Sequence, residues 1–164
     1  MHRLIVEALG DAEALARVGP DGYLAPTEWG LALERTLARR YGHLPAEVGH
    51  RLLGRELAAA FLASPAGHLV AATLPELDLE RAFSSVLLPM ADRMRRAIEF
   101  DFVPTPEGGR VLVHGQRAAH AESIAGFFEV MVERVPGAYA VRVGGVTPTT
   151  LELVVSRAPT PPVS

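Results

Sequence analysis

Six histidines are the most reactive inventory in this 164-residue chain, which contains no cysteine. Two histidines one helical turn apart could grip a metal ion. No pair here has that spacing. His43 and His50 stand seven apart, and Pro45 between them puts His43 outside the helix that carries His50. His114 falls in a strand and His120 at the start of the helix after it, so each histidine reads as a surface or loop residue. Ser84 and Ser85 lie inside a helix and Ser64 precedes a proline, and none has the G-x-S-x-G elbow that exposes a nucleophile on a strained turn. Glu76, Asp78 and Glu80 read as an acidic cluster at a helix N-terminus, where the macrodipole favours them. All sixteen basic residues are arginine, which rules out Schiff-base lysine and P-loop lysine chemistry. No set of acid, base and nucleophile can be assembled. The expectation is a protein that is not an enzyme and carries no metal or cofactor.

Two groups of residues remain. Arg93, Arg95 and Arg96 concentrate positive charge beside a helix-to-sheet junction, as a solvated segment or as a contact for an acidic partner. Phe83, Phe100, Phe102, Phe127 and Phe128 lie on apolar faces that must meet in the core, and they are the candidates to line an apolar pocket.

The elements that position them follow from hydrophobic period and punctuation. Asp11 can cap a turn or two ending near Val18, before the turn signal Gly19-Pro20-Asp21-Gly22. Thr27 reads as an N-cap, with Trp29, Leu33, Leu37 and Tyr41 on one helical face and Glu34, Arg35, Arg39 and Arg40 solvating the other. Pro45 opens a helix whose broad apolar face takes in Val48, Leu52, Leu53, Leu57, Ala59 and Phe61. Ser64-Pro65 breaks it. A piece from about Ala66 to Thr73 follows, then an amphipathic helix through Leu79, Phe83, Val86 and Leu87 that Pro89 stops, with Met90 to Arg96 adding a turn.

Near Ala97 the period becomes alternating. Ile98, Phe100 and Phe102 face one way, and a strand resumes over Arg110 to Gln116 after a turn spanning Pro104 to Gly109. Ile124, Phe127, Phe128, Met131 and Val135 return to helical spacing as far as Pro136-Gly137. Tyr139, Val141 and Val143, then Leu151, Leu153 and Val155, make a second hairpin joined around Gly144-Gly145 and Thr147-Pro148. The fold class is α+β: an N-terminal helical half packed on a four-stranded, mostly antiparallel sheet of order β-β-α-β-β. Residues 1–157 form one domain, and the Pro-rich tail 158–164 is expected to be disordered.

A hydrophobic fraction of 49% with 21% charged residues and a net charge of −3 excludes a disordered chain and makes nucleic acid a poor partner. No apolar run reaches the length of a membrane span, and Met1 to Gly10 lacks the apolar core of a signal peptide. The expected location is the cytoplasm.

The stretch Pro26-Thr27-Glu28-Trp29, the segment Val48-Gly49-His50-Arg51-Leu52-Leu53-Gly54-Arg55-Glu56-Leu57, the triplet Leu88-Pro89-Met90 and Gly126-Phe127-Phe128-Glu129 resemble a family of paralogous domains of unknown function expanded in myxobacteria. The likeness covers about Pro26 to Arg157. The element order is also similar to the wider fold of haem nitric-oxide-binding sensors, 4-vinyl-reductase-type ligand-binding domains and Golgi transport tethering subunits. That resemblance implies a helix-covered sheet that holds a small hydrophobic ligand or serves as a dimerising scaffold. It does not favour haem here. The sensor's Tyr-x-Ser-x-Arg motif would fall near Gly115, Arg117 and Ala119, and its axial histidine near Arg81, and none of these matches. The expected function is thus a non-enzymatic interaction or regulatory module, self-associating as a homodimer or binding a protein partner. The alternative is a sensor or carrier of a small hydrophobic ligand held between helices and sheet, without haem.

Overall fold

The alternating segments pair as their pattern requires. In the computed structural model, which describes residues 3–94, 98–115 and 120–158, the strands β1 (Glu99–Thr105), β2 (Gly108–His114), β3 (Tyr139–Val146) and β4 (Thr150–Arg157) form one sheet. Its order is β1-β2-β4-β3 and all three pairings are antiparallel. Phe100, Val111, Val113, Val141, Leu151, Leu153 and Val155 are buried on the inner face, and Asp101, Arg110 and Arg142 are exposed on the other. The first turn is tighter than expected, because Gly108 and Gly109 belong to β2 rather than to the loop. Gly144 and Gly145 likewise lie inside β3, where the register shifts between Val143 and Gly145. A bulge, rather than a turn, is what these two glycines serve.

The helices are α1 (Arg3–Leu9), α2 (Ala12–Ala16), α3 (Pro26–Tyr41), α4 (Ala46–Leu62), α5 (Pro65–Thr73), α6 (Leu79–Arg81), α7 (Leu88–Met94) and α8 (Ala121–Val132). Asp11 caps α2 and Ser64 caps α5, each through its side-chain oxygen. Two boundaries differ from expectation. Helix α3 starts one turn position earlier than Thr27, with Ala25 as N-cap and Pro26 in its first turn, since proline suits a position whose N–H has no partner. Pro89 does not stop the helix before it. A segment wound as a π-helix over Ala82–Leu87 joins α6 to α7, so Pro89 sits in the first turn of α7.

Helix α8 is held between the sheet and α4. A Cβ on Gly54 would lie 2.0 Å from the Ser123 carbonyl oxygen, and one on Gly126 would lie 2.2 Å from that of Arg51. The two backbones therefore touch directly. Beside this contact Arg51 donates to the Val141 carbonyl of edge strand β3 at 2.6 Å, and Arg55 lies 2.9 Å from Glu129 and 3.0 Å from Glu133. The face of α4 turned away from α8 is left bare: Leu53, Leu57 and Phe61 are buried, but Val48 is 45% and Leu52 38% exposed. The broad apolar face expected for this helix is thus narrower than its sequence suggests.

The arginines of α3 do more than solvate it. Arg39 and Arg40 donate to the Leu9 carbonyl at 3.0 and 2.9 Å, which satisfies an orphan acceptor at the end of α1. Arg35 donates to Asp11 at 2.8 Å. Among the described residues no single helix is long and apolar enough to cross a membrane. Ala158 still pairs with Ala138, and the remainder of the expected disordered tail lies outside the described residues.

Two outcomes follow from this packing. Gly54→Ala should destabilise the protein by about 2–4 kcal/mol, because backbone cannot step aside as a side chain can. Gly145→Ala, where a Cβ meets nothing within 4 Å, should be nearly neutral. Thermal melts of the two variants check this, and equal melting temperatures would contradict the close crossing. The second concerns Asp11, whose carboxyl is held below its ordinary value of 3.8, first by the Arg35 hydrogen bond and also by the Ala14 N–H, against an opposing effect of burial. A lowered folded value means stability that is present above about pH 4 and lost as the pH falls through it. Asp11→Ala should cost about 1–2 kcal/mol at neutral pH, with the gap from wild type closing in acid, as read by urea unfolding across the pH range.

Candidate functional site

Between the helical half and the sheet lies a partly open cavity of about 60 Å³. Each of its walls comes from an element already placed: Ile5 from α1, Trp29 and Leu33 from α3, and Leu57 from α4. Ala91 and Met94 of α7 and Phe100 of β1 close a further side. The rest is α8 and its cap: His120, Ser123, Ile124, Phe127 and Phe128. The wall is apolar except at one end, where His120 and Ser123 stand.

Of the five phenylalanines expected around a pocket, Phe100, Phe127 and Phe128 line this one. Phe83 and Phe102 do not. Their rings stack on each other, with centroids 4.5 Å apart and planes within 2°, and Phe83 meets Phe128 at 5.7 Å. Phe128 in turn meets Phe100 and Phe127 edge-on, at 6.2 and 6.1 Å. All five form one contiguous aromatic cluster within the core between helices and sheet. The Phe102 ring also covers Gly109, where a Cβ would come within 2.3 Å of it.

The polar end was not visible in the spacing of the histidines. His120 is buried, with its ring facing Gly30 of α3, and the half-buried His50 lies 6.3 Å from it, ring to ring. His50 Nδ1 is 2.9 Å from the Ser123 hydroxyl. Reading both histidines as surface residues is therefore corrected. Burial pulls the His50 imidazole below its ordinary value of 6.5, with the charge of Glu34 pulling weakly the other way, so the neutral ring is favoured. A signal did exist: His50 lies on the helical face of Leu53, Leu57 and Phe61, a stripe that the fold buries. Ser123 likewise shares the face of Phe127 and Met131 at four-residue spacing.

His114, by contrast, sits on the outer sheet face, 3.1 Å from Asp101 and 3.4 Å from the Thr150 hydroxyl. There is no wall around it. The Arg93 carbonyl accepts the Tyr23 hydroxyl, while Arg95 and Arg96 of the expected basic cluster lie outside the described residues. No group of three or more histidine, aspartate or glutamate side chains that could hold a metal ion occurs among the described residues.

No protein-family model matches the sequence, and no curated protein matches it. Solved structures do. A Fe(II) unliganded H-NOX protein from K. algicida superposes with a TM-score of 0.63 at 10% identity over 100% of both chains. An H-NOX protein from S. oneidensis in the Fe(II) ligation state, a triple mutant, gives 0.61 at 10% identity, again over 100% of both. A Tt H-NOX double mutant gives 0.51 at 15% identity over 96% of this chain and 95% of its own. The likeness establishes the fold, an α+β architecture shared with H-NOX domains.

Haem, the group this fold family implies, needs an axial ligand and room for a macrocycle. At about 60 Å³ the cavity is smaller than the roughly 150 Å³ that accommodates benzene in an apolar core, and Trp29, Phe100, Phe127 and Phe128 close in on it. Arg81, near which the resemblance puts the axial histidine, has a side chain 75% exposed and 3.7 Å from Asp78. Of the residues near which it puts the propionate motif, Gly115 offers no side chain, and Arg117 and Ala119 lie outside the described residues. The residues present do not fit haem.

Proposed function

We propose that this domain is a non-enzymatic sensor or carrier that holds a small hydrophobic molecule, without haem, in the cavity between its helices and its sheet. What supports this is the cavity wall, almost wholly apolar with one polar end, the composition of a ligand pocket rather than of a catalytic cleft. The likeness to H-NOX structures adds to it, as a fold already found in proteins solved in an Fe(II) state. Membership of the myxobacterial paralogous family and a cytoplasmic location belong to the same proposal, and a homodimeric state belongs to the second reading below. The closing of the site around the phenylalanines limits the ligand to a few heavy atoms, or to one that displaces Met94 and the half-buried Phe127 at the edge.

Native mass spectrometry of the protein isolated from its own cells reads the ligand directly. The expected result is a non-covalent adduct that Ala91→Leu, which fills the wall, removes while the variant's melting temperature stays within a few degrees of wild type. Apo mass alone in the wild type would overturn the reading.

A protein-interaction module is the second reading, favoured by Val48 and Leu52 lying exposed one turn apart on α4, with Leu69 of α5 73% exposed. If this surface self-associates, light scattering at micromolar concentration gives a dimer that Leu52→Glu returns to monomer. A monomeric wild type would exclude self-association.

A further inference from the structure

We infer that the molecule held in this cavity carries an uncharged oxygen, as a ketone, aldehyde or alcohol does, and that Ser123 receives it. This rests on the reading that the cavity takes a small apolar ligand. The Ser123 side chain is buried at the polar end of the wall. Its hydroxyl has one hydrogen to donate and two lone pairs to accept with, and its bond to His50 Nδ1 uses only one of these. Which one depends on the histidine tautomer. With Nδ1 unprotonated, Ser123 donates to His50 and keeps both lone pairs for a ligand hydroxyl. With Nδ1 protonated, His50 donates, and the Ser123 hydrogen is released toward a ligand carbonyl. The dyad can therefore meet either kind of neutral oxygen without moving a heavy atom.

It cannot meet a charged one. The lining contains no Asp, Glu or Arg side chain, and an ion buried without a charged partner is strongly disfavoured. Arg51 and Arg55, the nearest guanidinium groups on α4, are directed to Glu122, Glu129 and Glu133. Glu34 of α3 is the charge whose field reaches His50, and it repels an anionic head group. A pure hydrocarbon would enter, but it would leave the released Ser123 group unsatisfied.

The test compares four probes of equal heavy-atom count, n-pentane, butanone, propanoate and butylamine, by methyl shifts of Leu33 and Ile124 in NMR titrations of the full chain. Butanone should bind wild type roughly tenfold tighter than it binds Ser123→Ala, the effect of one hydrogen bond, while pentane binds the two proteins equally. Propanoate and butylamine should bind wild type more weakly than butanone. His50→Gln, which keeps a hydrogen-bonding partner beside Ser123, should keep the wild-type butanone affinity. Equal binding of butanone to wild type and Ser123→Ala, or preference for either ion, would overturn the inference while leaving an apolar cavity in place. Failure of every probe to bind would overturn the cavity reading and the inference with it.

Discussion

The contact on which the rest of the molecule depends is the crossing of α4 and α8 at Gly54 and Gly126. Side chains normally hold packed helices 8–10 Å apart or so, and here each glycine lies against the other helix's carbonyl, close to Ser123 and Arg51. This closeness has consequences on both sides of the contact. On one, it holds His50 Nδ1 2.9 Å from the Ser123 hydroxyl. On the other, it lets Arg51 pass α8 and cap the Val141 carbonyl of the sheet edge. One backbone contact thus sets the polar end of the cavity and ties the helical half to the sheet.

Electrostatics fix the other end of the helical half. The short α1 supplies Ile5, Val6 and Leu9 to the core, yet seven residues make too few internal hydrogen bonds to hold a helix alone. Arg39 and Arg40 of α3 satisfy its final carbonyls, and Arg35 holds Asp11, the cap of the next helix. The chain has no lysine to use here, and a guanidinium suits the task better, because its fork can reach two acceptors at once.

Much of this was legible in the sequence. The alternation of Phe100 and Phe102 against Glu99 and Asp101, and of Leu151, Leu153 and Val155, marked half-buried strands, and the period of Trp29, Leu33 and Leu37 marked a helix. Punctuation was less dependable. Pro89 reads as a stop, but the π-wound turn before it lets the helix restart, and a local rule has no access to that tertiary packing. The polar end of the cavity was hidden for a similar reason. His50 and Ser123 lie 73 positions apart, and only the bare backbones of Gly54 and Gly126 bring them together. Those glycines fall within two of the four segments that carried the family resemblance, which gives no indication that they pack on one another.

The same crossing decides how the cavity can respond to an occupant. Helix α8 cannot approach α4, since their backbones already touch, and on its sheet side Phe128, Met131 and Val132 are fully packed. A molecule entering beside Ser123 therefore meets a wall that is rigid along α4 and α8. A further wall is Met94 at the end of α7 and Ala91 one turn before it, and α7 follows the π-wound segment, a winding that is rare in helices. Methionine adds three rotatable bonds and adapts to irregular space. Compliance lies on the α7 side and stiffness on the α8 side. Any expansion of the site is thus directed into α7 and the β1 strand that follows it, and Phe102 of β1 is stacked on Phe83 of the π-wound segment before α7.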